Sequence, residues 1–440
     1  MTKTMPAAAV LADYAVSLRF DDLPQDVRQM AYFMLKDAVA CAAFGARFEW
    51  SAIVADYVRS LGGKPEVQLP GLDGLAAPVP QAALLLGVMA HAFELDNLRK
   101  PGAGVHPGAT VALPAFAYAM AHEHVTPQDL VTAIVAGCEV MFRIGAATLH
   151  TPEKNGFHAP GLTGVFGAAT AIGHLLGLDK DTMINAYGIA GSLGGGLLAF
   201  TSAGHGGMVK RLHLGRAAES GVQAALLAKR RFEGPSNIFD GKFGVLDAYC
   251  SAADTDLLTA GLGDDYEILK TCFKRFAAHI TAHTPIEALS TLMAEQSLSA
   301  DDIAAIELRV SDKLISHHAN IAPTDLASAQ YSVPFMVAAS LFIDIADPRN
   351  VSSHLLSGQR ILGMARSITM VPNGRESGWG CDIEVTDKNG ASWSKADVVY
   401  SGLSQVTAGF IDQKYRILVH DIPEIVGWSN TISKLEEFVI

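Results

Sequence analysis

The chain has 440 residues, half of them hydrophobic and 18% charged, which supplies a large packed core and excludes the composition of a disordered protein. That length fits two domains better than one. Thirty-three basic residues stand against 45 acidic ones, a net charge of −12 with no Lys/Arg block to offset it, which argues against a nucleic-acid partner. An anionic ligand would have to be drawn in by a local positive pocket.

The elements follow in chain order. The opening MTKTMPAAAVLADYAVSLRF is alanine-rich, but Asp13 interrupts it before an apolar segment forms, so no signal peptide is expected. Pro24 opens a pattern of apolar residues at three- and four-residue spacing that runs to Gly45. Further helices are predicted at Trp50–Leu61, Val79–Phe93, Ala109–His122, Gln128–Leu149, Gly161–Leu176, Lys180–Leu198 and Arg211–Lys229. Thr126-Pro127-Gln128-Asp129 is a capped helix start, and Gly177 closes one helix before the next begins. Asn185–Val209 has no formal charge and is membrane-like. Its Asn185, Ser192, Thr201, Ser202 and His205 would be costly in lipid, so it reads as a buried helix running into a glycine-rich turn, with no membrane contact.

After about Cys272 the texture changes. Ile303–Val310, Ile368–Val371 and Cys381–Val385 alternate as strands, with helices at Ile286–Glu295 and Pro334–Ile343 among them. Asn373–Gly380 and Asp387-Lys388-Asn389-Gly390 read as turns of a meander, and helical periodicity returns by Glu436. The expected fold is therefore mainly α with an α+β part: a large all-helical domain over residues 1–271, completed by about 403–440, and a smaller α+β domain over 272–402. Cys41, Cys138, Cys250, Cys272 and Cys381 contain no CxxC, which excludes the usual zinc-ribbon and iron–sulfur spacings and suits free thiols in a reducing cytoplasm.

Four segments put ionisable residues into apolar, glycine-rich surroundings. His91–Gly108 gathers Glu94, Asp96, Arg99, Lys100 and His106 in one Pro/Gly loop. Asn155–Gly161 places His158 at the start of a long apolar helix, where a neutral imidazole is favoured and anions bind. Gly204–Gly215 carries Lys210, Arg211 and His213 after a glycine-rich turn; it is not a phosphate-binding loop, and cations at a helix start suggest a bound anion. Lys274–His283 holds Lys274, Arg275, His279 and His283, the two histidines four apart, a spacing that suits a metal on a helix, although no third ligand is evident. Each has an ordinary alternative as a solvated loop, a core histidine or a helix start. Together they read as a pocket for a small polycarboxylate.

In this order the segments resemble the MmgE/PrpD family, whose members include 2-methylcitrate dehydratase, cis-aconitate decarboxylase and iminodisuccinate epimerase. The resemblance rests on Glu94-Leu95-Asp96 with His106-Pro107-Gly108, on Glu139 with Arg143-Ile144-Gly145, and on Gly156-Phe157-His158 through Ala169. Lys210 to Gly221 and Gly234-Pro235 through Asp240-Gly241 complete it, so that it spans essentially the whole chain. It implies a helical domain with a smaller lid domain, a homodimer, and site roles for Asp96, His106, His158, Lys210, Lys274 and His279, while the missing cysteine cluster, the missing nucleotide loops and the weak HxxxH of the sequence itself point to no metal or organic cofactor. In that scheme His158 moves a proton at carbon, Asp96 orients a partner or handles the leaving group, and Lys210, Lys274 and His106 bind carboxylates. Arg275 and His213 are further substrate-binding candidates. The implied activity is that of a lyase on a small di- or tricarboxylate, with an epimerase or a non-catalytic binding relative as alternatives. The chain departs from the family's usual D-x-D-D-T at Glu94, Asn97 and Leu98. It has Phe335 where an aromatic hydroxyl is expected, with Tyr331 one turn earlier.

Overall fold

The computed structural model describes residues 6–101, 104–201, 207–374, 379–404 and 406–439. The fold is mainly α with a smaller α+β part, and the chain divides into two compact units. The first holds the chain up to Ala92, then Asp96–Cys272, and the chain again from Ile411; the second holds Phe93–Leu95 and Phe273–Phe410. The first unit thus resumes at Ile411, inside the helix Ala408–Val419, and three residues of the His91–Gly108 loop group with the second unit.

Within the first unit the Val209–Lys229 helix crosses Val79–Ala90 and Ala159–Leu175, with helices Gln25–Gly45 and Pro127–Ala147 completing the core. Backbones meet closely at these crossings because glycines line them. A Cβ on Gly87 would fall 2.8 Å from the Gly215 Cα, and one on Gly221 would fall 2.4 Å from the Ala168 Cβ. Dense helix contact of this kind explains why the motif glycines tolerate no side chain. Pro127–Ala147 is long and apolar enough to cross a membrane by composition, but 94% of that window is buried in the protein, the setting of a core helix. Asn185–Val209 is not one buried helix: Lys180–Leu193 ends there and Leu193 and Leu197 are exposed, while Ser202 and the Gly204, His205 and Gly206 of the expected turn lie outside the described residues.

Other boundaries differ for local reasons. Val79–Ala90 stops short of Phe93 because the chain turns at His91 and Glu94 takes a left-handed φ of 57°. Pro127–Ala147 stops before Leu149 and His150, both at positive φ. An Ala7–Ser17 helix, too uniformly apolar to show a periodic face, buries Leu11, Ala12 and Ala15. The first unit is not all helix, since β1 (Val67–Gln68) pairs with β2 (Ala76–Ala77) and β3 (Leu98–Arg99) pairs with β4 (Thr271–Cys272).

The second unit is built on β5 (Ile303–Val310), β6 (Ile368–Pro372), β7 (Gly380–Asp387) and β8 (Ser392–Val399), in the order β6-β5-β7-β8. The β5–β6 pair is parallel, so this is not a meander; only the DKNG turn between β7 and β8 makes a hairpin. Arg375, Glu376, Ser377 and Gly378 of the other expected turn lie outside the described residues. Helix His283–Gln296 packs on the sheet, where Cys381, Ile383 and Val385 alternate inward. None of the five cysteines is in a disulfide.

The Glu139 and Arg143 of the family motif are structural. Glu139 accepts the backbone N–H groups of Glu267 at 3.0 Å and Ile268 at 2.9 Å, and its carboxylate pairs with Arg143 at 2.5 Å. Arg143 in turn donates to the carbonyls of Ala260, Gly261 and Asp265. Removing the cation leaves the buried Glu139 carboxylate without its counter-charge, held only by two backbone N–H groups, and takes the guanidinium donor from three carbonyls, so Arg143→Met is expected to cost about 3–5 kcal/mol in chemical denaturation. A loss within experimental error of zero would contradict this role.

Candidate active site

The first cluster grows from the end of helix Val79–Ala90. The turn that follows buries His91, and the chain returns through Asp96, β3 and the segment before Gly108 to place His106 beside it. Asp96 has no solvent exposure, and its Oδ2 accepts from the Nδ1 of His91 at 2.9 Å and of His106 at 2.8 Å. The two rings meet edge to face at 4.8 Å. Burial disfavours the Asp96 carboxylate, but the two imidazoles outweigh it and hold its pKa well below the ordinary range. Burial pushes His91 down to about 4. His91, Asp96 and His106 lie close enough to hold an ion, with donor atoms within 4.8 Å of one another. Their hydrogen bonds join that carboxylate oxygen to both Nδ1 atoms. In this arrangement Asp96 fixes the tautomer of both rings and leaves each Nε2 as the free base position.

The second cluster forms where His158 caps the Ala159–Leu175 helix. Its N–H donates to Gly196 O at 3.1 Å, and its Nδ1 lies 3.0 Å from the Nδ1 of His213, one donating and the other accepting. Gly196, at φ 139°, is required because a Cβ there would meet the His213 ring at 3.1 Å. Lys210 and His213, three apart on helix Val209–Lys229, share a face. His213 lines a cavity of about 510 Å³ with Gly161, Leu197, Phe200 and Arg216. Burial, and then Lys210, His91, His213 and His106, push His158 down to about 2. The imidazole is therefore neutral, as its place at a helix start suggests, but a far weaker base than that place alone implies. Arg211 is used structurally: it lies 4.5 Å over Trp50 and donates to Gly207 O.

The second unit holds its own cluster. Lys274 is buried and pairs with Glu94 at 3.0 Å, and the Tyr331 hydroxyl donates to the same carboxylate at 3.4 Å. His279 stacks on His318 at 4.5 Å and on Tyr331 at 4.7 Å. Tyr331 thus carries the aromatic hydroxyl, while Phe335 is buried in the core. His279 and His283 do not form a metal pair, because His279 precedes the helix that His283 begins. His279 bonds Thr281, whereas His283 packs on Phe276 and Tyr400. Arg275 lines a cavity of about 360 Å³ with Glu287 and Asp344.

Sequence reasoning left His91, Glu94, Asn97, Tyr331 and His318 out of the site set. His91 and Glu94 lay within a singled-out segment; His318, in a polar run, carried no such signal.

A helical unit carrying imidazoles held by a buried carboxylate, with a smaller α+β unit carrying a buried lysine and histidines, matches one family along most of the chain. The MmgE/PrpD N-terminal domain matches residues 9–258 and the MmgE/PrpD C-terminal domain residues 276–418, and the chain belongs to the MmgE/PrpD family. It is 29% identical to a cis-aconitate decarboxylase of Aspergillus terreus over 75% of this chain and 71% of that protein. It is 27% identical to the human cis-aconitate decarboxylase over 74% of this chain and 68% of that protein. With the mouse enzyme of the same name the identity is 24%, over 88% of this chain and 80% of that protein.

The lowered histidines set a pH dependence. With folded values of about 4 for His91 and about 2 for His158, the unfolded chain binds more protons below its ordinary histidine pKa. Stability therefore falls as pH drops from about 6.5 towards 4, by up to ~1.4 kcal/mol per histidine per pH unit. Denaturation midpoints measured across that range should decline, and His91→Asn or His158→Asn should flatten the decline; an unchanged slope in both variants would refute the assignment.

Proposed function

We propose that the protein is a cofactor-independent lyase acting on a small di- or tricarboxylate through proton transfer at a carbon next to a carboxylate. The observation that carries this reading is the setting of His158: its strongest electrostatic neighbour is the Lys210 ammonium, with the rings of His91, His213 and His106 around it as hydrogen-bonding groups. Such surroundings attract an anion, and a bound carboxylate raises the pKa of His158 into the range where it exchanges protons. Lys210 and His106 hold carboxylates and spread the negative charge that develops at carbon, while Asp96 orients His106. His213 shares the proton of His158. Lys274 and His279 offer the same carboxylate-binding chemistry, and Lys274→Ala is expected to raise KM and lower kcat. The cis-aconitate decarboxylase relatives favour decarboxylation of a cis-aconitate-like tricarboxylate as the specific reaction. In that reaction CO₂ departs, its bonding electrons are delocalised towards a remaining carboxylate, and carbon is protonated from imidazole.

A second reading, epimerisation of a dicarboxylate, is supported by two separate imidazole groups able to serve opposite faces of one carbon. Incubating the protein with citrate-like, aconitate-like and aspartate-derived acids in deuterium oxide, followed by NMR, separates the two. Elimination or CO₂ loss supports the lyase, and deuterium uptake without either supports the epimerase. No reaction with any of these acids would sink both. His158→Asn should lower kcat by about 10²–10⁴-fold, the scale of lost general acid–base catalysis, and near-normal turnover would remove His158 from that role. Exhaustive chelation should leave activity intact; loss that a single metal restores would overturn the cofactor-independent reading.

A further inference from the structure

Asp96 and Asn97 are adjacent and serve opposite directions. Asp96 takes the two imidazoles, whereas Asn97 reaches back to helix Gln25–Gly45. Its Nδ2 donates to Asp37 Oδ2 at 2.8 Å, and its Oδ1 accepts the backbone N–H of Gly108 at 2.8 Å. Asp37 is buried, and its Oδ1 pairs at 2.5 Å with the ammonium of Lys414, itself buried on helix Ala408–Val419. Gly108 has no room for a side chain: a Cβ would fall 2.9 Å from Ala38 Cβ and 2.8 Å from Asn97 Nδ2. Two residues earlier, the His106 carbonyl accepts from Thr110 Oγ1 at 2.9 Å.

We propose that Lys414, Asp37 and Asn97 form a polar strut that sets the backbone beneath His106 and so aims its ring, making them positioning residues for the Asp96–His106 pair. Stability is a weak explanation for the strut, because a buried lysine–carboxylate pair is often no better than apolar side chains of the same volume. Its geometry is specific. Only an amide at position 97 both donates to Asp37 and accepts from Gly108, and Asp there would set two buried carboxylates against one ammonium. Burial works against the Lys414 ammonium, but Asp37, Cys41 and Asp96 outweigh it and hold its pKa above the ordinary lysine value.

The inference takes from the proposed function only that His106 serves the reaction, and its main readout needs no substrate. In the full chain labelled with ¹⁵N-histidine, the Nδ1 proton of His106 held by Asp96 should give a slowly exchanging downfield NMR signal, which His106→Gln assigns. Asn97→Asp should abolish that signal and lower kcat by about 10²-fold, the scale of a small misplacement of a reacting group, and should also raise KM, since His106 holds a carboxylate. The exchange Asp37→Asn with Asn97→Asp restores the net charge and the chain of contacts from Lys414 through positions 37 and 97 to Gly108, losing only the 3.4 Å contact of position 97 with the Met34 carbonyl, and should recover both signal and turnover. Asn97→Ala, which adds no charge, supplies the same comparison if Asn97→Asp does not fold. A His106 signal retained in Asn97→Asp or Asn97→Ala while only the melting temperature falls would overturn the proposal. So would failure of the exchanged pair to recover the signal. A wild-type protein inert towards every polycarboxylate would refute the proposed function and leave the NMR comparison intact.

Discussion

The Asp96 carboxylate, fully buried and shared by two imidazoles, is the interaction on which the rest of the site depends. A carboxylate removed from water is sustained only by donors that face it, and here both donors are ring N–H groups. The chain must therefore turn at His91 and come back to His106. A series of polar anchors fixes that return: Asn97 to Asp37, β3 to β4, Arg99 to Glu267, and the Glu267 backbone to Glu139. Glu139 and Arg143, far from any proton-transfer role, carry the series into the helical core. The motif residues thus divide into those that present a free ring nitrogen and those that hold the presenting loop.

Local and global electrostatics oppose each other. The chain carries a net charge of −12, yet the principal neighbours of His158 are Lys210 and imidazoles. A histidine in such a place rests neutral and weakly basic. In the function we propose, its basicity would depend on an arriving anion, which would couple proton transfer to occupancy and limit idle exchange with water.

Much of the helical unit was legible because its helices repeat apolar residues with the helical period and end at glycine or proline. Strand β5 was legible to the residue for the corresponding reason, an alternation bounded by polar turns. Strand β8 was not, since SWSKADVV lies at a sheet edge and shows no apolar alternation. The clusters were legible as residue types in glycine-rich segments. Their partners were not, because Lys414 is 377 positions from Asp37 and nothing local marks either as half of a pair.

The departures from the family's acidic motif acquire a physical meaning in this setting. Three acids in a row of four would need three compensating partners in a buried loop. Glu94 finds Lys274, and Asp96 finds His91 and His106. The third position faces Asp37, whose cation is already Lys414, so a neutral amide at Asn97 is what that corner accommodates. Two of the motif's positions are therefore spent on charge balance and backbone support, and one carboxylate remains to govern the imidazoles. The substitution at position 97 is then a consequence of Asp37 and Lys414, residues of helices Gln25–Gly45 and Ala408–Val419, rather than an independent change in the chemistry of the loop.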